Sequence, residues 1–504
     1  MTRFQTLADL LDFGDPSHPA VVLPESEQTI RRRSLAEQVE ALAGVLRRGG
    51  LEPGQPVAIV LPNGLEYLAA FLAVTRARLI AAPLNPAYKA EEFRFYLEDA
   101  GARLVIAPPG SHPVREAAAA LGLPVWEASR GGDGRVRLDG PGVRAGRGEA
   151  PEAPRPDDIA LFLHTSGTTS RPKGVPLTHG NLAASVANVA GHYALTPEDV
   201  SLVVMPLFHV HGLIGATLSA LHAGGAVVVP ARFRAGAFWP AARAHRVTWY
   251  SAVPTIHQVL LARADADGAP AHSGFRFVRS CSSALAPATL AQLEARFGAP
   301  VLEAYGMTEA SHQMCSNPLP PAAHKPGTVG PGARVEVGIM DEAGRLLPAG
   351  TPGEVVIRGP NVMRGYHNNP AANAQAFTNG WFRTGDRGVL DGDGYLTLIG
   401  RIKELINRGG EKISPLEVDA VLLAHPAVAE AATFGAPDAK YGEEVHAAVV
   451  LRGEATATEL QQWCDARLAA FKVPKVIHLV KELPKGPTGK VQRRFLAAAF
   501  QSRG

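Results

Sequence analysis

Through its first 300 residues the chain alternates short, uniformly apolar runs with longer stretches of helical texture. The runs at 56–62 (PVAIVLP), 103–108 (RLVIAP), 200–206 (VSLVVMP), 226–230 (AVVVP) and 246–254 (RVTWYSAVP) lack the alternation of a half-buried strand. A strand apolar on both sides must be covered on both sides, which parallel sheets with helices on each face achieve. Segments 181–193 and 288–298 supply such helices. The expectation is an α/β body. The most apolar early stretch, 65–84, contains Glu66, Arg76 and Arg78, so it reads as a helix feeding a buried strand and not as a membrane span.

From about Thr328 the texture changes to short strands separated by DEAG, PAGTPG and RGPN turns, an antiparallel and barrel-like pattern. A tail of about 100 residues follows. Its helices are marked by two capping boxes, Ser414 with Glu417 and Thr458 with Gln461, and Leu460, Trp463, Cys464, Leu468 and Phe471 form one apolar stripe. This divides the chain into an N-terminal body at 1–400, barrel-like over about 328–400, and a small mobile α/β domain at 405–504. Lys+Arg 50 against Asp+Glu 47 gives a net charge of +3, which implies no nucleic-acid or membrane field. Cys281, Cys315 and Cys464 are widely spaced and fit a reduced compartment without a zinc site. Asp9 and Asp12 interrupt the N-terminal apolar stretch, so it is no secretory signal, and Ser502-Arg503-Gly504 is not a peroxisomal tripeptide. A soluble cytoplasmic protein is expected, without membrane insertion, as a monomer or homodimer.

The stretch HTSGTTSRPKGVPLTHGN, His164 to Asn181, carries the densest chemistry. Between a strand-like run and a helix start it offers Thr165, Ser166, Thr168, Thr169 and Ser170 as donors. Gly167 and Gly174 allow close backbone approach, and Lys173 adds charge. It is not the usual P-loop, because its second glycine follows the lysine. A solvated linker would seldom place so many hydroxyls and a lysine between two apolar elements, so phosphate binding is the better reading.

TSGTTSRPKG (165–174), YGMTE (305–309), GWFRTGD (380–386), GRIKELINRGGEKISPLEVD (400–419) and PKGPTGKVQRR (484–494) occur in that order, with NPAY at 85–88. Together they resemble the acyl-adenylate-forming superfamily, which joins acyl-CoA synthetases, coumarate–CoA ligases, luciferases and peptide-synthetase adenylation domains. The resemblance implies an acid–thiol ligase that uses ATP, Mg²⁺ and coenzyme A through an acyl-adenylate. It implies that Thr165, Ser166, Gly167, Thr168, Thr169 and Lys173 hold the β- and γ-phosphates, that Thr308 contacts the α-phosphate, and that Glu309 binds Mg²⁺. Ser283 joins the ATP-binding set, Tyr305 stacks on adenine, and Asp386 with Arg401 takes the ribose. Lys490 reaches the α-phosphate and the reacting carboxylate. Lys403, within 401–404, is the hinge between the domains, and Gly409 and Gly410 let pantetheine pass.

Around the expected acyl pocket lie PLFHVHG (206–212), RSCSSALAP (279–287) and YGMTEASHQM (305–314). A fatty-acyl or coumaroyl tunnel should be lined by small and apolar groups, whereas His209, His211, Ser282, Ser283 and His312 bring polar donors. His209, which also fits a gating role beside the reacting atoms, Ser282 and His312 are the candidate acid-binding residues. This texture is most similar to the plant and fungal oxalyl-CoA synthetase branch. Malonyl-CoA synthetases carry an arginine before the YGMTE motif where this chain has Ala304. A medium-chain or aryl-acid ligase, and a nucleotide-binding regulator without catalysis, are the alternatives.

Overall fold

The computed structural model describes residues 4–12, 14–143, 152–165, 172–486 and 489–501. The expected alternation builds two sheets. In the seven-stranded sheet the spatial order is Val136–Asp139, Val125–Arg130, Leu104–Ala107, Pro56–Ile59, Ile80–Pro83, Ile159–Thr165 and Lys173–Thr178. The eight-stranded sheet runs His312–Ser316, Val301–Met307, Phe277–Ser280, Trp249–Ala252, Val200–Leu202, Ala226–Val228, Pro19–Leu23 and Gln28–Arg31. In both, the interior pairings are parallel and only the outermost strand at each end returns antiparallel. One continuous core joins them, with Val57, Ile59 and Leu104 from the first and Val227, Trp249, Phe277 and Leu302 from the second. Helix Leu65–Arg76 runs through that core with only its two charged residues, Glu66 and Arg76, less than buried, and it leads into strand Ile80–Pro83.

Parallel strands all end on the same side, and loops there converge. Thr165 closes strand Ile159–Thr165, His209 follows Val200–Leu202, Ser282 follows Phe277–Ser280, and Thr308 follows Val301–Met307. That topology gathers residues far apart in sequence at one edge of the two sheets.

The antiparallel texture after Thr328 forms a five-stranded sheet in which Trp381–Leu390 pairs with Gly353–Arg358 on one side and with Phe377–Thr378 and Leu396–Arg401 on the other. Glu336–Met340 completes it, and no ladder among the described residues closes the sheet into a ring.

The one-turn helix Ile402–Glu404 then leads into the C-terminal lobe, a five-stranded sheet with helices Pro415–Leu423, Ala457–Asp465 and Arg494–Gln501. The lobe has cores of its own, one built on Ile406, Val418, Leu422, Val445, Val449 and Leu460, the other on Phe434, Leu483 and Leu496. Ser414 caps its first helix by accepting from the Glu417 N–H, but the expected box is only half made, because the Glu417 carboxylate accepts from Lys472 Nζ instead. The second cap differs from expectation. Thr456, not Thr458, starts helix Ala457–Asp465, because its Oγ1 accepts from Glu459 N at 3.2 Å while the Glu459 carboxylate accepts from Thr456 N at 2.7 Å. Gln461 instead donates to the carbonyls of Pro474 and Lys475. The stripe also outlasts its helix, since Leu468 and Phe471 pack on the lobe core from beyond Asp465. No helix among the described residues is long and apolar enough to cross a membrane.

Candidate active site

Tyr305, near the end of its strand, is buried and its hydroxyl donates to Asp386 Oδ2. Arg401 Nε reaches the other oxygen, Oδ1, at 3.0 Å. Asp386 and Arg401 are cross-strand partners, so the sheet ladder itself sets this pair. The three residues expected to take adenosine are therefore in one hydrogen-bonded group.

Thr308 and Glu309 begin a one-turn helix, both buried. Tyr366 Oη donates to Glu309 Oε1 at 2.9 Å, and the Lys173 ammonium lies 4.4 Å from the centre of the Tyr366 ring. The end of the expected phosphate-binding stretch and the expected metal carboxylate are thus bridged by one tyrosine. Burial raises the Glu309 carboxyl pKa, against the opposing pull of its hydrogen bonds, Arg401 and Lys173. A bound cation would favour the ionised form that burial disfavours. No cluster of three or more His, Cys, Asp or Glu side chains able to hold a metal exists among the described residues. Mg²⁺ commonly takes one or two carboxylates and completes its shell with phosphate oxygens and water, and one buried carboxylate fits that pattern. Thr165 and Lys173 pair across the antiparallel ladder. Ser166, Gly167, Thr168 and Thr169 lie outside the described residues.

From the C-terminal lobe, Lys490 projects into the same cleft. Its loop is tied by Gly486 N to Lys490 O at 2.8 Å and touches the body where Thr255 Oγ1 donates to Gly489 O at 3.4 Å. The side chain is open to solvent within a cleft whose surrounding protein lowers its ammonium pKa. Arg401 adds to that shift, and Asp386 and Glu404 oppose it. His209 feels the Lys490 charge from the other wall; burial first, then that charge, bring its pKa down to about 4, so the imidazole is neutral near pH 7. Lys403 is exposed in the 402–404 turn. Gly409 and Gly410 close the hairpin between Ile406–Arg408 and Glu411–Ile413. Gly409 N donates to Tyr441 O at 2.8 Å within the lobe, and neither glycine shares a hydrogen bond with the cleft residues above.

Behind the cleft sits a polar cluster that the sequence showed only in part. Arg279 is fully buried on strand Phe277–Ser280 with no carboxylate in ion-pair range among the described residues. Its Nε donates to Tyr193 Oη, Nη1 to Ser251 Oγ, and Nη2 to Gln313 Oε1 and to His312 Nε2, each at 2.9 Å. His211 lies between Ser251 Oγ at 2.7 Å and Ser282 Oγ at 3.0 Å, and its ring stacks on His312 with centroids 5.4 Å apart. Burial, then Arg279, push both imidazole pKa values well below the ordinary range. Ser282 and His312 hold φ of +74° and +121°, conformations that non-glycine residues rarely adopt and that cluster at functional sites. Ser283 follows at the half-exposed surface.

His211 opens a π-helix, His211–Leu218, in which Ser219 N donates five residues back to Ile214 O. The helix passes so close to His312 that a Cβ on Gly215 would stand 2.3 Å from His312 Nε2. Ser251, Gly215 and Tyr366 were not among the residues singled out in sequence for a site role, and Arg279 stood there only as the first residue of RSCSSALAP and a second-line holder of a second carboxylate.

A family model for AMP-binding enzymes matches residues 14–367, and one for the AMP-binding enzyme C-terminal domain matches 417–490. The chain belongs to the AMP-binding enzyme family. Among curated AMP-binding enzymes it is 52% identical to the oxalate–CoA ligase of Arabidopsis thaliana, over 91% of this chain and 91% of that protein. It is 45% identical to the oxalate–CoA ligase of Saccharomyces cerevisiae, over 97% and 96%. The crystal structure of ATP-bound MatB from Rhodopseudomonas palustris superposes with a TM-score of 0.89 at 32% identity, covering 99% of this chain and all of that one.

Proposed function

We propose that this AMP-binding enzyme is an ATP-dependent, AMP-forming acid–CoA ligase whose acid is oxalate. The observation that carries the choice of acid is the buried Arg279 without a carboxylate partner, standing behind Ser282, His211 and His312. A buried charge left unpaired is costly, and a cluster of donors backed by a cation suits an acid with a second carboxylate. Oxalate has no chain to bury, so its binding must come from hydrogen bonds, and an apolar tunnel would gain nothing from it.

A carboxylate must first become an anhydride before a thiol can displace it. In our reading the acid's carboxylate attacks the ATP α-phosphorus and pyrophosphate leaves. The thiol of coenzyme A then attacks the acyl carbon and AMP leaves. The 165–174 loop and Lys173 bind the β- and γ-phosphates, and Thr308 the α-phosphate. Glu309, held by Tyr366, ligates Mg²⁺, which when bound neutralises phosphate charge. Asp386 and Arg401 orient the ribose beside Tyr305, with Ser283 at the nucleotide's edge. Lys490 aims its ammonium at the charge that grows on the α-phosphate, where a placed donor is worth most. His209, neutral, borders the reacting carboxylate. Lys403 serves as the hinge that later withdraws Lys490 and carries Gly409 and Gly410 toward the thiol's path. We place the enzyme in the cytoplasm, as a monomer or homodimer that binds no nucleic acid.

An acid panel measuring pyrophosphate release tests the assignment. Oxalate should exceed acetate, malonate, hexanoate and coumarate in kcat/KM. Faster turnover of hexanoate or coumarate would overturn oxalate as the substrate, and no pyrophosphate with any acid would overturn the ligase reading.

A further inference from the structure

Hydrogen-bond direction in the buried cluster is not free. A guanidinium only donates, so His312 Nε2, at 2.9 Å from Arg279 Nη2, must be the acceptor and its proton must sit on Nδ1. Ser251 Oγ likewise accepts from Arg279 Nη1. Ser251 is fully buried, and its one remaining partner is His211 Nε2 at 2.7 Å, so satisfying its hydroxyl proton requires that it donate there. His211 then carries its proton on Nδ1 and donates to Ser282 Oγ at 3.0 Å. With that oxygen accepting, the Ser282 hydroxyl proton has no protein acceptor among the described residues. Neither has the His312 Nδ1 proton, and that nitrogen is not among the buried polar atoms sealed without a partner.

We infer that Arg279 is a positioning residue for acid recognition: it fixes His211 and His312 in the Nδ1–H form, so that Ser282 Oγ–H and His312 Nδ1–H both face the cleft as donors. The inference rests on the reading that these two residues border the acid. A site that presents two donors and no acceptor binds a distal carboxylate, which only accepts. It leaves both donors unpaired against a distal methyl or methylene, meets a distal ammonium with proton against proton, and offers the proton of a distal hydroxyl no acceptor. Arg279 thus discriminates at one remove, without touching the substrate.

The test reads tautomers on the ligand-free, full-length protein. Ring ¹⁵N shifts of ¹⁵N-histidine-labelled protein at neutral pH distinguish Nδ1–H from Nε2–H, and His211→Gln and His312→Gln assign the two rings. Free neutral imidazole favours Nε2–H, so Nδ1–H at both positions is a signature that mere packing by Arg279 would not produce. The expected result is Nδ1–H at both in the wild type. Arg279→Met should release them, with KM for oxalate raised roughly tenfold or more and KM for ATP unchanged. Arg279→Lys, which keeps the charge but cannot span Ser251 and His312 together, should release at least one ring and serves if the methionine variant fails to fold. Nε2–H at either position in the wild type, or Nδ1–H persisting at both in the variants, would overturn the relay. Better turnover of another acid would overturn the oxalate assignment instead, while the tautomers would still decide the relay.

Discussion

Two ionisable side chains, Lys490 in the cleft and the buried Glu303, have pKa values displaced in opposite senses from the ordinary ones, and each can be read by titration. In the proposed mechanism Lys490 meets the α-phosphate as an ammonium, and that ammonium's pKa is lowered from 10.5. Acyl-adenylate formation should therefore fall as pH rises through a midpoint below that of an ordinary lysine, while thioester formation from supplied acyl-AMP should not follow the same limb. Lys490→Ala should cut adenylation by roughly 10²–10³-fold and the second step far less. Equal losses in both half-reactions, measured by pyrophosphate release and by thioester formation, would remove the lysine from its assigned step. Glu303 is different. It accepts from Gly327 N at 3.0 Å and from Leu285 N at 3.4 Å, pinning the loop that carries Ser282 and Ser283, and burial raises its carboxyl pKa from 4.5 to about 7. The folded state therefore holds this proton more tightly than the unfolded chain. Its contribution is complete below pH 4.5 and is lost as pH rises through about 7, a span of order 3 kcal/mol. Glu303→Gln should flatten the fall of Tm between pH 5 and 8; an unchanged slope would show that another group titrates.

At the level of elements, the π-helix His211–Leu218 is where a small change should be felt. In an ordinary helix Gly→Ala stabilises by up to about 1 kcal/mol. At Gly215 the sign should reverse, because the new methyl would stand 2.3 Å from His312 Nε2 and His312 is held by Arg279. Gly215→Ala is expected to lower Tm by an amount corresponding to about 1–3 kcal/mol of overpacking and to raise KM for oxalate with KM for ATP unchanged. Calorimetry and an acid titration check both halves. This element also marks where reading the sequence stopped. Strands such as Leu104–Ala107 and Trp249–Ala252 were legible because nothing but burial on both faces accommodates such runs. The motifs likewise placed Tyr305, Asp386, Arg401 and Glu309 within one cleft. The π-helix was not legible: HGLIGATL is eight residues buried all round, so no period distinguishes a π-helical turn from an α-helical one. Arg279 was legible only as a residue near the pocket, a second-line partner for the acid. Its burial and its fourfold role as a donor show only through the partners from 193, 251, 312 and 313. The Thr456 cap lost to Thr458 in reading because TATELQQ holds two overlapping boxes, and the one with a carboxylate at its third position forms.

For the molecule as a whole, the lobe and the body meet through a single covalent turn and few direct bonds, among them Thr255 to Gly489. Pro is tolerated in the first turn of a helix, so Lys403→Pro should preserve the present arrangement while locking a backbone dihedral that rotation would need. Adenylation should survive and CoA-dependent turnover should fall, by roughly tenfold or more. Normal overall turnover in that variant would move the pivot elsewhere.

The same architecture bears on how such an enzyme can diversify. Tyr193, Ser251, Arg279, Ser282, His312 and Gln313 all belong to the body, whereas Lys490 and the paired glycines belong to a lobe with independent cores. On the proposed roles, selection can act on the acid without disturbing the residues assigned to the thiol, and a lobe inherited from a relative with another taste should still serve the pocket it is grafted onto. Preference and throughput would drift as separate traits, joined only by the few residues at which the lobe leans on the body.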